Sequence, residues 1–348
     1  MSHFIRTNLS VPITLMLLFI GISTSTASRA AETDATPLVI AHRGASGYLP
    51  EHTLPAVALA HGLGADFIEQ DILLSKDNEP IVIHDRFLDY VTNVAQVFPN
   101  RKRSDGHYYV ADFTLVELRN LRVHERTNPA TSRLQFPARF PLDKGNFTLA
   151  TLAEHIELIQ GLNHTTGRNV GLLVEIKDPA WQREQGQDPS RVVLETLKKY
   201  DYKTRDDNAI LQCFDVNEVR RLRTELHTDL RLIQLMNEQT LKLPADAGRA
   251  QLIAALEKIA THADGIGPSL EMLLTKSRIP DDPQITDLID LAHDAGLEVY
   301  CYTFRSETVP PQFATFAELV EAFTAAGLDG FITDYADKVR EHLPAPVR

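Results

Sequence analysis

Two histidines and three carboxylates of this 348-residue chain sit at or near the ends of short apolar runs, where a sheet would present them at its rim. His42 closes the run Leu38–His42 and is followed by Arg43 and Gly44; His84 closes Pro80–His84 and is followed by Asp85. Glu69 and Asp71 stand two apart inside Asp66–Asp71, so on a strand both point to one face. Glu175 repeats the pattern in Val170–Ile176, with Lys177 two residues further on. Inward-facing carboxylates are costly unless they are paired or bind a cation. Three that converge would suit a hard divalent ion, Ca²⁺ or Mg²⁺, with waters completing its shell. Two imidazoles flanking a phosphodiester could serve as base and acid, and the guanidinium fork of Arg43 suits phosphate oxygens. A plainer arrangement competes with this one: Arg43 and Lys177 could pair with the acids as structural ion bridges.

Such residues need a frame that brings them together. Apolar runs occur at Leu38–His42, Asp66–Asp71, Val170–Ile176, Ala209–Phe214, Leu230–Leu235, Asp264–Gly267, Leu297–Thr303 and Asp329–Thr333. Amphipathic helical patterns such as Leu54–His61, Leu152–Ile159 and Arg249–His262 alternate with them. Continuous apolar strands separated by helices indicate a parallel sheet covered on both faces. Eight such units predict an α/β fold, the (β/α)8 TIM barrel, whose sites lie at the C-terminal ends of the strands. A doubly wound open sheet is the alternative from the same alternation. The ninth run, Pro80–His84, follows the second strand too closely for a parallel crossover, so the chain must turn back as a hairpin. A two-residue turn at Asp77–Asn78 would set His84 opposite Asp71. Gly44 and Gly47 allow a tight turn after His42 whose amides could face an anion. Residues 86–145 lose periodicity and read as an insertion after the second strand, part lid and part subdomain.

Residues 1–30 have the order of a secretory signal: Arg6, an apolar stretch from Val11 to Ile22, then small residues up to Ala30. Cleavage after Ala30, or after Ala27, would leave 31–348 as the catalytic domain and place it in the periplasm or outside the cell. The apolar stretch is short of the ~20 residues of a membrane span, so no stable membrane anchor is expected. A formal charge of −12 argues against a nucleic-acid partner. Cys213 and Cys301 lie in apolar runs that the strand count makes non-adjacent, and both read as buried small hydrophobes. Nothing in the residues specifies an oligomer, although a homodimer is compatible with them.

The blocks His42-Arg43-Gly44-Ala45-Ser46-Gly47, Pro50-Glu51-His52-Thr53-Leu54, Glu69-Gln70-Asp71, His84-Asp85, Glu175-Ile176-Lys177, Gln212-Cys213-Phe214-Asp215 and Thr333-Asp334 occur in that order. Through them the chain, from His42 to about Pro344, resembles the periplasmic glycerophosphodiester phosphodiesterases. The resemblance implies a barrel enzyme with Glu69, Asp71 and Glu175 on a divalent cation, Ca²⁺ ahead of Mg²⁺. It also implies His42 and His84 as the acid/base pair, with Arg43 on the phosphate and Lys177 near it. The implied substrates are small glycerophosphodiesters, such as glycerophosphocholine and glycerophosphoethanolamine, cleaved to sn-glycerol 3-phosphate and an alcohol. His52 stands where many relatives carry Asn, Tyr302-Thr303 where Trp-Thr is usual, and Ala336 where Pro is frequent. A phospholipase acting on intact lipids and a binding protein on an inactive barrel are the alternatives. The polar insertion weighs against the first and the intact site set against the second.

Overall fold

Runs of apolar residues with no polar alternation can be buried only between two covering layers, and eight of them here close on themselves. In the computed structural model, which describes residues 1, 36–128, 131–237, 240, 248–275 and 284–344, the first strand is Leu38–Ala41 and the second Phe67–Leu74. The third to eighth are Gly171–Ile176, Ala209–Cys213, Arg231–Met236, Gly265–Pro268, Glu298–Phe304 and Gly330–Thr333. Each pairs in parallel with its sequence neighbours, and the first pairs with both the second and the eighth. That closure makes the fold a TIM barrel and sets the open doubly wound sheet aside. The signal-like residues 2–30 lie outside the described residues, among which no helix is long and apolar enough to cross a membrane.

The period of two along each strand explains where the site must be. Ile40, Phe67, Leu173, Ile210, Ile233, Tyr300 and Ile332 form one inward-facing apolar layer. Each such side chain contributes roughly 1.5–3 kcal/mol by leaving water. Two residues further along the same strands come His42, Glu69, Glu175, Gln212, Leu235, Tyr302 and Asp334. The polar ring is therefore the next layer of the barrel interior, resting on an apolar plug. A larger apolar cluster between the strands and the surrounding helices, with Val39, Ile68, Val174 and Leu211 on the strand side, completes the core. Cys213 and Cys301, on the fourth and seventh strands, are buried free thiols.

The second strand runs past the rim and returns as the antiparallel strand Pro80–Val82. The expected hairpin is present, but its register differs by one residue. Ile72 faces Val82 and Leu74 faces Pro80, so Ile83 stands across from Asp71 and its amide donates to the Asp71 carbonyl at 2.8 Å. The cause is the turn. Its loop is Lys76-Asp77-Asn78, closed by Ser75 and Glu79 at 3.0 Å, with Asn78 in the left-handed region at φ 62°. A third loop residue in that conformation shifts the pairing by one. His84 still reaches the barrel mouth, because the ladder ends at Val82 and the chain bends at His84–Arg86.

The outer part of the hairpin seeds a second apolar cluster. Leu73, Ile81 and Ile83 pack with Leu88, Val110, Phe113 and Leu118 of the 86–145 segment. Short helices there, Val94–Val97 and Leu115–Leu118, carry too few residues for a helical period to show in the sequence. Thr114 and Glu117 close the second of them with a capping box. Since non-glycine residues in the left-handed region cost about 1–2 kcal/mol unless, like Asn, they tolerate it, Asn78→Val should lower the unfolding free energy by roughly that amount in urea titrations. Asn78→Gly should leave it nearly unchanged. Equal stability of the Val and Gly variants would contradict this account of the register.

Candidate active site

His42 leaves the first strand beside the end of the eighth, its amide on the Thr333 carbonyl at 2.8 Å. Its Nδ1 meets Asp334 Oδ1 at 2.6 Å, which turns Nε2 toward Arg43 Nε at 3.2 Å. The loop that follows is tight for two reasons. Gly44 has φ 81°, and a Cβ there would come within 3.0 Å of the Ala56 backbone; a Cβ on Gly47 would lie 2.4 Å from the Tyr335 ring. The amides of the two glycines are tied to backbone carbonyls instead of facing an anion, contrary to the expectation, and among the described residues the one loop amide on a carboxylate is that of Arg43. Gly44 N donates to Ala41 O and Gly47 N to Asp334 O, while Arg43 N donates to Glu69 Oε2 at 2.7 Å. The segment ends where Thr53 caps the helix Leu54–Gly62.

Register then brings the acids together. Asp71 and Glu175 are direct partners across the second and third strands. Lys177 Nζ sits 2.7 Å from Glu175 Oε1 and 3.5 Å from Asp71 Oδ1, and Arg43 Nε is 3.5 Å from Asp71 Oδ2. Ion bridges of the plainer kind therefore exist for Asp71 and Glu175. Among the described residues, however, Glu69 has no side-chain ion pair, and Asp71 Oδ1 has no hydrogen-bond partner. Burial and the charges of Asp71 and Glu175 push the Glu69 carboxyl well above the ordinary range. Burial raises Glu175 to about 8, against the pull of Lys177. Burial would raise Asp71 as well, but Lys177, His84 and His52 together hold it well below. A buried acid cluster with too few cationic partners fits a bound cation.

His52 joins this cluster, which the sequence did not foretell. Its Nε2 lies 2.8 Å from Asp71 Oδ2, and ligand atoms of His52, Glu69 and Asp71 all lie within 4.8 Å of one another. Glu175 falls outside that close trio, drawn toward Lys177. His52 has φ 60°, a conformation that Asn also tolerates, so the exchange at this position has a backbone reason. His42, Arg43, Glu69, His84 and Glu175 line one cavity of about 290 Å³ with Phe214 and Tyr302 on its far wall. Lys177 lines the neighbouring cleft with Glu175, Trp181 and Phe214. Both imidazoles are held neutral. Burial, then Arg43, lowers His42 to about 4; burial, then Arg43 and Lys177, lowers His84 to about 3.

The sequence profile described as the glycerophosphoryl diester phosphodiesterase family matches residues 42–338, from the first site histidine to the last helix. The chain belongs to that family. A glycerophosphodiester phosphodiesterase of Haemophilus influenzae is 39% identical over 325 residues, covering 88% of this chain and 89% of that one. One from Treponema pallidum is 36% identical over 335 residues, covering 89% and 93%. A solved phosphodiesterase of Oleispira antarctica, in complex with the product sn-glycerol-3-phosphate, is 21% identical with a TM-score of 0.57 over 88% of this chain and 96% of that one. At that identity the likeness is one of fold. Within the family's pattern Tyr302 keeps an aromatic wall on the cavity, its hydroxyl donating to Met236 O at 2.8 Å. Ala336 opens the helix Ala336–Arg340, a first-turn position where a proline would forgo no hydrogen bond.

Arg305, Arg126 and Arg139 also reach the site and were not singled out from sequence, and Asp334, named there within the Thr333-Asp334 block, was given no role. Asp334 was legible in principle, since it stands two residues beyond the inward Ile332. The acid cluster generates a stability test. Because Glu175 ionises at about 8 in the fold and near 4.5 when free, the folded chain keeps a proton that the unfolded chain has released. Stability must then fall as pH rises toward 8. Between about 7 and 8 His42 and His84, lowered by burial, are largely neutral in both states, while His293, raised by its hydrogen bond to Asp329, and Glu125, raised to about 8 by burial, add declines of the same sign. In chelator, the melting temperature should decline across that window, and Glu175→Gln or added Ca²⁺ should make the decline shallower. A flat profile in chelator for the unsubstituted protein would contradict the reading of crowded carboxylates.

Proposed function

We propose that the protein hydrolyses small glycerophosphodiesters, glycerophosphocholine and glycerophosphoethanolamine among them, to sn-glycerol 3-phosphate and an alcohol. The observation that carries the reading is that His42 and His84 face one cavity whose other walls hold Arg43, Glu69 and Glu175. Names of the relatives from Haemophilus influenzae and Treponema pallidum support the activity. In this reading one neutral imidazole takes the proton of the attacking hydroxyl and the other returns a proton to the leaving alkoxide. The proton to be donated is taken up from solvent as the substrate binds, because its negative charge offsets Arg43 and Lys177 and so favours an imidazolium beside it. Arg43 is placed to stabilise charge on the phosphoryl oxygens, its Nη1 held by Glu51 at 3.1 Å. Glu69, Asp71 and Glu175, with His52 beside them, would hold a divalent cation, Ca²⁺ ahead of Mg²⁺, which when bound polarises a phosphoryl oxygen.

The reading includes export. The charged, apolar and small-residue order of the first 30 residues supports periplasmic or extracellular action after cleavage. Purified protein given glycerophosphocholine should release glycerol 3-phosphate, and a chelator should abolish release until Ca²⁺ or Mg²⁺ is restored. No product with cation present contradicts the activity; undiminished product in chelator removes the cation from it. His42→Ala and His84→Ala should each lower kcat by about 100-fold or more, the usual worth of a general acid or base. A variant that keeps near-native turnover takes its histidine out of the pair.

A further inference from the structure

Each imidazole facing the catalytic cavity leans on an aspartate through Nδ1. His42 does so on Asp334 Oδ1 at 2.6 Å, and His84 on Asp85 Oδ1 at 3.1 Å. In both pairs the second carboxylate oxygen is held by an arginine of the 86–145 insertion. Arg139 Nη2 donates to Asp334 Oδ2 at 2.5 Å, and Arg126 Nη1 forms an ion pair with Asp85 Oδ2 at 2.5 Å, a close charge contact rather than an aligned hydrogen bond. Both side chains are nearly buried, 6% and 11% exposed. They line a smaller cavity of about 150 Å³ together with His42 and His84.

The arginines are fixed from behind. Arg126 donates from Nε and Nη2 to the two oxygens of Glu51, at 2.9 and 2.6 Å. Arg139 donates from Nε and Nη2 to Glu307 Oε1, at 2.9 and 2.5 Å, and from Nη1 to Ser46 O at 3.3 Å. Each nitrogen of both guanidinium groups thus contacts a protein oxygen, which fixes the plane of either fork. What they control is the direction of a carboxylate. A carboxylate pinned at its far oxygen presents the near one along a single line, which selects the Nδ1–H tautomer and aims Nε2 into the cavity.

We propose that Arg126 and Arg139 are positioning residues for the acid/base pair, each acting through the aspartate that it grips. The proposal rests on the functional reading above wherever it concerns turnover. The insertion is then a working part of the site rather than a cover over it. The two clamps are unequal. Asp334 also receives Arg305 Nε, from just past the seventh strand, at 2.7 Å, whereas among the described residues no other arginine or lysine pairs with Asp85. Loss of Arg126 should therefore weigh more heavily than loss of Arg139.

The test is a double-mutant cycle on glycerophosphocholine hydrolysis, with Arg126→Gln, Asp85→Asn and their combination. Arg126→Gln should lower kcat by about 10-fold or more with KM changed less than about threefold, since an aligned acid or base acts on the chemical step. Adding Arg126→Gln to Asp85→Asn should cost no more than about twofold further, because the arginine acts through the aspartate. Arg126→Lys should recover part of the rate. Losses that multiply independently, or a rise in KM with kcat kept, would overturn the proposal in favour of direct substrate contact. Nitrogen-15 spectra of the labelled histidines supply a readout that needs no turnover. The His84 resonances should lose their single Nδ1–H tautomer in Arg126→Gln while those of His42 hold, and Arg139→Gln should shift only the His42 resonances, by less, since Arg305 still holds Asp334. Unchanged spectra in both variants would also overturn it. If the spectra shift but the native protein cleaves no glycerophosphodiester, the functional reading fails and the positioning stands.

Discussion

Repulsion among Glu69, Asp71 and Glu175 is the constraint around which this barrel is organised. Two like charges ~4 Å apart near a protein surface repel by roughly 4 kcal/mol, a large share of the net stability of an ordinary domain. The chain meets that load with Lys177 between Asp71 and Glu175, Arg43 beside Asp71 and the His52 ring on Asp71. Among the described residues Glu69 is met only by the Arg43 amide and a share of its guanidinium charge. Such an arrangement is a poor way to stabilise a fold and a good way to hold a divalent ion. It also deepens the neutrality of the histidines: burial is the main cause, and Arg43, with Lys177 at His84, depresses them further.

Geometry follows from the barrel rather than from the loops. An apolar layer one step below the rim fixes the strands, and alternation places the polar ring above it. Elements outside the repeating pattern then orient what the strands present. The hairpin carries the chain back so that His84 enters from above, and the segment after it folds onto the hairpin's apolar face.

What could be read from sequence divides along the same line. Eight strands were legible because fully buried strands are written as unbroken apolar runs, and their ends differ from the expected ones by only a few residues. His42, Glu69, His84 and Glu175 were legible as polar residues closing or interrupting such runs, and all four face one cavity. The hairpin was legible from its short connection, but its register was not, because the left-handed Asn78 adds a loop residue that composition does not reveal. His52 was legible as a departure from the family's usual Asn; only the fold shows its ring on Asp71. Arg126 and Arg139 lie in a stretch without periodicity, and their partners are up to 195 residues away in the chain. Long-range ion pairs of that kind leave no local trace.

Calorimetric titration of the metal-free protein with Ca²⁺, repeated at pH 7 in buffers of different ionisation enthalpy, tests the central claim most directly. Binding must displace the proton that the crowded acids retain. The account predicts about one ion per chain, bound with proton release, and loss of both in Asp71→Asn. Absence of binding, or binding that releases no proton and survives Asp71→Asn, would contradict it.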